Sequence, residues 1–327
     1  MAQYLVTGGA GFIGSHLARA LLASGHRVRI LDDLSTGSRD KAPSGAELIV
    51  GDVANPAAVR VAAMGCDGIF HLAAIASVQR CNEDWLGAHR TNLGGTIAVF
   101  EAAKALGGAP VVWASSSAVY GDTDRVPIDE STPPHPLTAY GADKLGGELH
   151  AVPAAGIHGV PSAALRLFNV YGPDQDATSP YSGVIALFAS KMSAGETVSI
   201  HGDGLQSRDF IYVADVVTTF VAAMDHLADA ARAGDRPASL VANVGTGHET
   251  TVLALAETIR TLSGSASDIT FGPERRGDIR RSVSDPSRLE ALLGIAAQTE
   301  LKTGLSELLR SSGMLAETGG APLASTG

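Results

Sequence analysis

Apolar residues in the first 120 positions fall into short runs, each bounded by turn-forming residues. YLVT (4–7), VRILDD (28–33), ELIVGD (47–52), GIFHLAA (68–74) and VVWASSS (111–117) are too short for buried helices and read as strands. Between the first two runs the spacing changes. Ile13, Leu17, Ala20 and Leu21 recur at helical intervals, which predicts a helix from Ser15 that stops at Gly25 after ARALLAS. A further helical stretch precedes residue 111. Strands that alternate with helices predict a parallel sheet covered on both faces, a doubly wound α/β arrangement.

Beyond about residue 170 the pattern is mixed. Connections rich in Pro and Gly (YGPDQDATSPYSG, HGDGLQSRD, GPERRGD) separate short strands and helices, and this predicts a smaller α/β lobe, mostly within 171–315, over the open end of the sheet. The run LVANVG (240–245) and the segment around Asp215 to Met224 are expected to return to the larger unit. The last dozen residues, AETGGAPLASTG, are small and polar and are expected to be a disordered tail at 316–327.

Composition narrows the function classes. The 327 residues are 45% hydrophobic and 18% charged, with a formal net charge of −10, which speaks against a nucleic-acid or anionic-membrane partner. The two cysteines, Cys66 and Cys81, have neither C-x-x-C spacing nor a histidine cluster, so no disulfide framework or metal site is expected. No apolar run approaches the roughly 18 residues of a membrane span, and a cytoplasmic protein with reduced thiols is expected.

The first strand runs directly into TGGAGFIGSHLARAL, which puts Gly8, Gly11 and Gly14 in a turn that opens a helix. In that setting backbone amides and the helix N-terminus face a pyrophosphate. Asp32, at the end of the second strand, suits the adenosine ribose hydroxyls and would repel a 2′-phosphate, so NAD is expected over NADP. The alternative is that Asp32 or Asp33 merely caps the turn LSTG. Asp52, in GDVANP, suits the adenine or, alternatively, the N-cap of the helix at Pro56. These features identify residues 1–170 as a Rossmann-type NAD-binding domain, with returning segments near 210–227 and 240–247.

The candidate chemistry follows in SSSAVYG (115–121) and YGADK. Tyr140 and Lys144 lie one turn apart on one helix face. A free phenol near pKa 10 is a poor base, and a neighbouring ammonium is expected to stabilise its phenolate. Strand ends meet the cofactor crevice in such sheets, so Ser116 and Tyr140 are expected to converge on a substrate there.

TGGAGFIG, LDDLSTG, GDV, HLAA (71–74), TNLGGT (91–96), SSSAVYG, YGADK and RLFNVYGP (166–173) together resemble the extended short-chain dehydrogenase/reductase family, in its UDP-glucose 4-epimerase-like branch. HGDGLQSRDFIYVADV (201–216) and RRGDIRRSVSD agree with that branch. The resemblance implies a cofactor site of Gly8, Gly11, Phe12, Ile13, Gly14, Asp32, Asp52, Val53, Leu72, Ala73, Ala74, Asn92, Tyr140 and Lys144. It implies Tyr140 as base, Lys144 as its tuner and Ser116 at the substrate's 4-hydroxyl. Ser117, Asn169, Arg208, Arg275, Asp278 and Ser282 fall at substrate positions, the arginines toward phosphate and Asp278 toward the uridine ribose.

Dehydratases of this kind carry Asp-Glu where this chain has Ser117 and Ala118, and alanine cannot move a proton. The resemblance therefore implies 4-epimerisation of a UDP-hexose with retained NAD. Ser282, small at a position whose bulk limits the sugar's 2-substituent, leaves room for an N-acetyl group. A uronate, meeting Ser117 and Thr178, is an alternative substrate. Another NAD-dependent sugar-nucleotide oxidoreductase or dehydratase of the family would share every motif, whereas a non-catalytic NAD-binding module would be expected to lose Tyr140 or Lys144. A homodimer through the helix before VVWASSS and the helix carrying Tyr140 is implied as well.

Overall fold

The computed structural model describes residues 1–175, 183–274 and 279–315. The expected tail at 316–327, Thr178, Arg275 and Asp278 lie outside the described residues. The first half alternates as its apolar runs dictate: β1 (Gln3–Thr7), α1 (Phe12–Ala23), β2 (Arg27–Asp32), β3 (Glu47–Val50), α2 (Pro56–Ala63), β4 (Gly68–His71), α3 (Val78–Glu83), α4 (Trp85–His89), α5 (Gly95–Ala105), β5 (Val111–Ser116), α6 (Ala139–His158) and β6 (Ser162–Leu167). The second half adds β7 (Asn169–Tyr171), α7 (Val184–Ser193), β8 (Val198–His201), β9 (Ser207–Arg208), β10 (Phe210–Tyr212), α8 (Val213–Ala233), β11 (Ser239–Val244), β12 (Thr250–Thr251), α9 (Val252–Ser263), β13 (Ile269–Gly272), β14 (Arg281–Ser282), α10 (Ser287–Leu293) and α11 (Leu301–Ser311).

Seven strands form one sheet in the order β3-β2-β1-β4-β5-β6-β11, and every neighbouring pair is parallel. The order reverses between β1 and β4, so the carboxyl ends of these two strands flank a crevice. Each face carries its own apolar layer. Leu17 and Leu21 of α1 meet Phe220 and Met224 of α8 over Val6 and Phe70 on one side. Val59 of α2, Val99 and Phe100 of α5 and Ala151 of α6 cover Leu5 and Trp113 on the other. Burying each large apolar side chain in these layers contributes about 1.5–3 kcal/mol relative to exposure.

Helix α1 starts three residues before the expected Ser15, because the glycine turn feeds straight into helical backbone with Gly11 at the N-cap. It ends as expected, with Gly25 at φ +80° accepting the left-handed conformation that closes the helix. Above the crevice a third apolar cluster joins Phe188 of α7, Ile200 of β8, Leu255 and Ile259 of α9 and Leu305 and Leu309 of α11. Here β8 pairs with β13, β7 with β10, and β9 lies between β12 and β14. Among the described residues no helix is long and apolar enough to cross a membrane, and no group of His, Cys, Asp or Glu is arranged to hold a metal ion.

Candidate functional site

A cleft of about 580 Å³ follows the crevice from Asp32 and Asp33 at one end to Ser116, Tyr140 and Lys144 at the other. Gly8, Gly11, Phe12, Ile13, Gly14, Asp52, Val53, Leu72, Ala73 and Ala74 line it between. Gly8 must be glycine on two counts: its φ is +71°, and a Cβ there would lie 2.6 Å from the Ala73 amide nitrogen. At Gly14 a Cβ would lie 2.1 Å from the Gly8 carbonyl oxygen, so helix and turn touch as backbone on backbone. No side chain caps α1, and its first-turn amides are therefore available to an anion in the cleft.

Asp32 both lines the cleft and caps the turn that follows it. One carboxylate oxygen accepts the Ala10 amide of the glycine turn (2.9 Å) and the other accepts the Leu34 amide (2.9 Å). The side chain thereby clamps the turn while it lines the cleft, and each oxygen keeps a second lone pair. Asp33 caps the following turn, accepting the Ser35 amide and hydroxyl. Asp52 does not cap the helix at Pro56. That role belongs to Asn55, whose side-chain oxygen accepts the Ala57 and Ala58 amides, while Asp52 accepts the Ala54 amide and faces the cleft. An extended cleft with a bare glycine turn, an uncapped helix start and a fixed carboxylate suits a dinucleotide.

At the other end, three consecutive residues of β5 meet successive turns of α6. The Ser116 hydroxyl accepts the Ala118 amide (3.1 Å) and faces the same end of the cleft as Tyr140. The Lys144 ammonium donates to the Ala114 carbonyl (2.7 Å) and stands 5.6 Å from the centre of the Tyr140 ring. The turn closed by Ser116 bends the chain, so β5 ends one residue earlier than expected and Ser117 does not line the cleft.

The electrostatics differ from the expectation that Lys144 holds the phenol down. Burial pushes Tyr140 up to about 12, with the nearby Ser116 hydroxyl pulling the other way. Burial likewise lowers Lys144 to about 8, against upward pulls from Asp143 and Cys81. The pair is desolvated together, and an ammonium itself disfavoured by burial is a weak tuner. In the protein alone Tyr140 is thus a neutral phenol at neutral pH.

Asn92 is fully buried and does not line the cleft. It lies in a π turn (90–94) between α4 and α5, where its amide clamps both the N–H (2.8 Å) and the carbonyl (3.2 Å) of Ile75. It therefore shapes the loop after β4, whose residues Leu72 to Ala76 form the wall. A second buried chain supports the same loop. Thr96 donates to the Asn92 carbonyl (2.6 Å), so it must accept from His71 Nε2 (3.0 Å), and His71 Nδ1 then accepts from the Thr7 hydroxyl (2.7 Å). This pattern assigns the tautomer, and burial pushes His71 down to about 3, so the ring is neutral.

Of the expected substrate residues, Asn169, Arg208 and Ser282 occupy neighbouring strands beside the wall at Phe168 and Val170 and are not in the lining. Asn169 is in register with Phe210, and Arg208 with Ser282. The Arg208 guanidinium donates to the carbonyls of Ser207 and Ile279 (2.7 Å each), and Ser282 is buried. Next to them is a residue that the motifs do not single out. Asp209, fully buried, accepts from the amides and hydroxyls of Thr246 and Ser284 and from the Gly247 amide, which ties β9 to the segments after β11 and β14. A charged residue inside RDFIY was the available signal. The ion pair of Glu148 with Arg166, taken up below, was missed as well; an arginine inside the apolar strand SAALRL marks it.

Relatives of known name fit this geometry. The chain is 37% identical over 310 residues to the UDP-glucose 4-epimerase of Mycolicibacterium smegmatis, with 93% of this chain and 96% of that protein covered. The UDP-glucose 4-epimerase of Thermotoga maritima, solved with UDP-glucose, superposes with a TM-score of 0.89 at 32% identity, covering 95% of this chain and 98% of that one. The UDP-N-acetylglucosamine 4-epimerase of Methanobrevibacter ruminantium, solved with UDP-N-acetylmuramic acid, gives 0.88 at 33% identity with the same coverage. A dinucleotide cleft ending in Ser116, Tyr140 and Lys144 and a match of residues 4–245 to the family description agree, and the chain belongs to the NAD dependent epimerase/dehydratase family, with NAD as its cofactor.

Proposed function

We propose that the chain is a 4-epimerase of UDP-hexoses that keeps its NAD through turnover and works through a 4-keto sugar. The observation that carries this reading is the meeting of the Ser116 hydroxyl with the Tyr140 phenol beside Lys144 at one end of the cleft, followed by Ala118 where a dehydration would need an acid. NAD, when bound, supplies a hydride acceptor and donor and, in its oxidised form, a positive charge that favours the phenolate.

The chain's own residues handle the proton. Ser116 accepts the Ala118 amide, so its own proton is free to point to Tyr140 or to a substrate oxygen. Tyr140 takes the proton of the 4-hydroxyl and returns it to the same oxygen after the sugar has turned over, while Lys144, held on the Ala114 carbonyl, orients the pair. Gly8, Gly11, Gly14, Asp32 and the loop 72–76 hold the cofactor. Asn169, Arg208 and Ser282, with Arg275 and Asp278, are assigned to the UDP-sugar.

The small, buried Ser282 beside Arg208 supports use of N-acetylated as well as plain hexoses. Leu149, Val152 and Ile157 form an exposed apolar stripe on α6, 62–75% accessible, and support a homodimer through α6 and α5 that sedimentation at several concentrations will reveal. The deciding experiment incubates the purified protein, with no cofactor added, with UDP-glucose, UDP-N-acetylglucosamine and UDP-glucuronate. Conversion of either of the first two to its 4-epimer, with roughly one NAD per chain released on denaturation, is expected. Ser282→Tyr should then lose the N-acetylated substrate first. Conversion of the uronate alone, or net consumption of reduced cofactor, would overturn the reading.

A further inference from the structure

Behind the strand that carries Ser116 runs a buried polar chain of which Ser115 alone lines the cleft. Glu148 lies on α6 one turn beyond Lys144 and two beyond Tyr140. One of its carboxylate oxygens accepts from the Ser115 hydroxyl (2.6 Å) and from Arg166 Nε (2.9 Å), and the other accepts from Arg166 Nη2 (2.6 Å). The remaining guanidinium nitrogen donates to the Tyr120 hydroxyl (2.8 Å), which donates to the Asn243 side chain (2.6 Å), whose amide in turn donates to the Ile128 carbonyl (2.8 Å). Arg166 also lies over the Tyr120 ring, 4.7 Å from its centre. Glu148 and Arg166 are both about 6% exposed.

An ion pair this deep is a poor stabiliser, because the cost of desolvating both charges offsets their attraction and apolar residues of similar size would do as well. Its geometry fixes direction instead. The fork of Arg166 admits one orientation of the Glu148 carboxylate, and Ser115 is the neighbour of Ser116 on β5. The helix that carries Tyr140 and Lys144 is therefore pinned to the strand that carries Ser116 through Glu148, outside the cleft lining, and Ser115, at its edge.

We infer that Glu148, held by Arg166, is a positioning residue that sets the register of α6 against β5 and with it the distance from Tyr140 to Ser116. The inference rests on the proposed epimerase reading for its turnover assay. A displacement of about 1 Å in such a group lowers turnover on the order of 100-fold without weakening ground-state binding.

The test uses NAD-loaded protein. Glu148→Gln/Arg166→Met removes both charges together, so that no uncompensated charge is left buried, and Ser115→Ala removes one hydrogen bond only. The double variant is expected to keep its NAD and a KM within about threefold of the parent while kcat falls on the order of 100-fold. Ser115→Ala is expected to lose about tenfold in kcat with the melting temperature close to the parent's. Parent-like kcat in either folded, NAD-loaded variant, or a loss confined to melting temperature and KM, would overturn the inference, and Ser115→Ala decides alone if the double variant does not fold. A parent that converts no UDP-sugar would count against the epimerase reading. The positioning role is then read from Tyr140 ionisation, followed as the tyrosinate absorbance that Tyr140→Phe abolishes. Its midpoint rises in Ser115→Ala if the Ser116 contact loosens, and an unchanged midpoint overturns the inference.

Discussion

Replacing Lys144 by methionine should stabilise the cofactor-free protein at neutral pH and destabilise it at high pH. Lys144 is 2% exposed, and burial lowers its pKa from 10.5 to about 8. Below the lower value the ammonium is charged in both folded and unfolded chains. Burying it there costs about 3 kcal/mol, since each tenfold loss of proton affinity corresponds to about 1.4 kcal/mol. Between about 8 and 10.5 the unfolded chain binds the extra proton, so stability rises with pH and the cost disappears. Methionine fills a similar unbranched volume but leaves the Ala114 carbonyl without the 2.7 Å hydrogen bond it accepts from Lys144, an offset of about 1–1.5 kcal/mol. The variant is therefore expected to be more stable by about 1–2 kcal/mol at neutral pH and less stable by about 1 kcal/mol above the unfolded-state value, with a crossing between. Urea denaturation of NAD-free parent and variant across that range measures it, and titrating groups not coupled to Lys144 cancel in the difference. A difference that stays constant with pH would refute the reasoning about burial.

Tyr140→Phe should retain NAD and lose on the order of 10²–10⁴ in kcat, since only the proton-transferring hydroxyl is removed; turnover together with the NAD released on denaturation tests this, and parent-like turnover rejects Tyr140 as the base. Asp32→Ala leaves the buried Ala10 amide and the half-buried Leu34 amide without their acceptor, for which we expect a loss of about 1–3 kcal/mol, most of it from Ala10, and NAD binding weakened at least tenfold, read from urea midpoints and NAD titration. Gly8→Ala sets a left-handed φ of +71° and a 2.6 Å contact with Ala73 against the fold. It should cost more than the roughly 1–2 kcal/mol of the backbone conformation alone and abolish NAD retention, checked by thermal melts and cofactor content.

Local pattern was enough for the alternating elements. The five short apolar runs and the Ile13, Leu17, Ala20, Leu21 stripe became β1 to β5 and α1 within a few residues, because side-chain period reports directly which face of an element is buried. The glycine turn, Asp32 and the spacing of Tyr140 and Lys144 were legible for the same reason, since each depends on neighbours within a turn or a strand end. Tertiary structure decided the rest. That Asn92 spends its amide on Ile75, that Ser117 turns from the cleft and that Asn55 rather than Asp52 caps α2 depend on where the chain bends. The pairing of Glu148 with Arg166 and Ser115 joins residues from a helix and two strands. The direction in which the Tyr140 pKa moves was the sharpest divergence: adjacency to Lys144 is written in YGADK, but desolvation is set by the protein packed around both groups, and it outweighs the attraction that the spacing suggested.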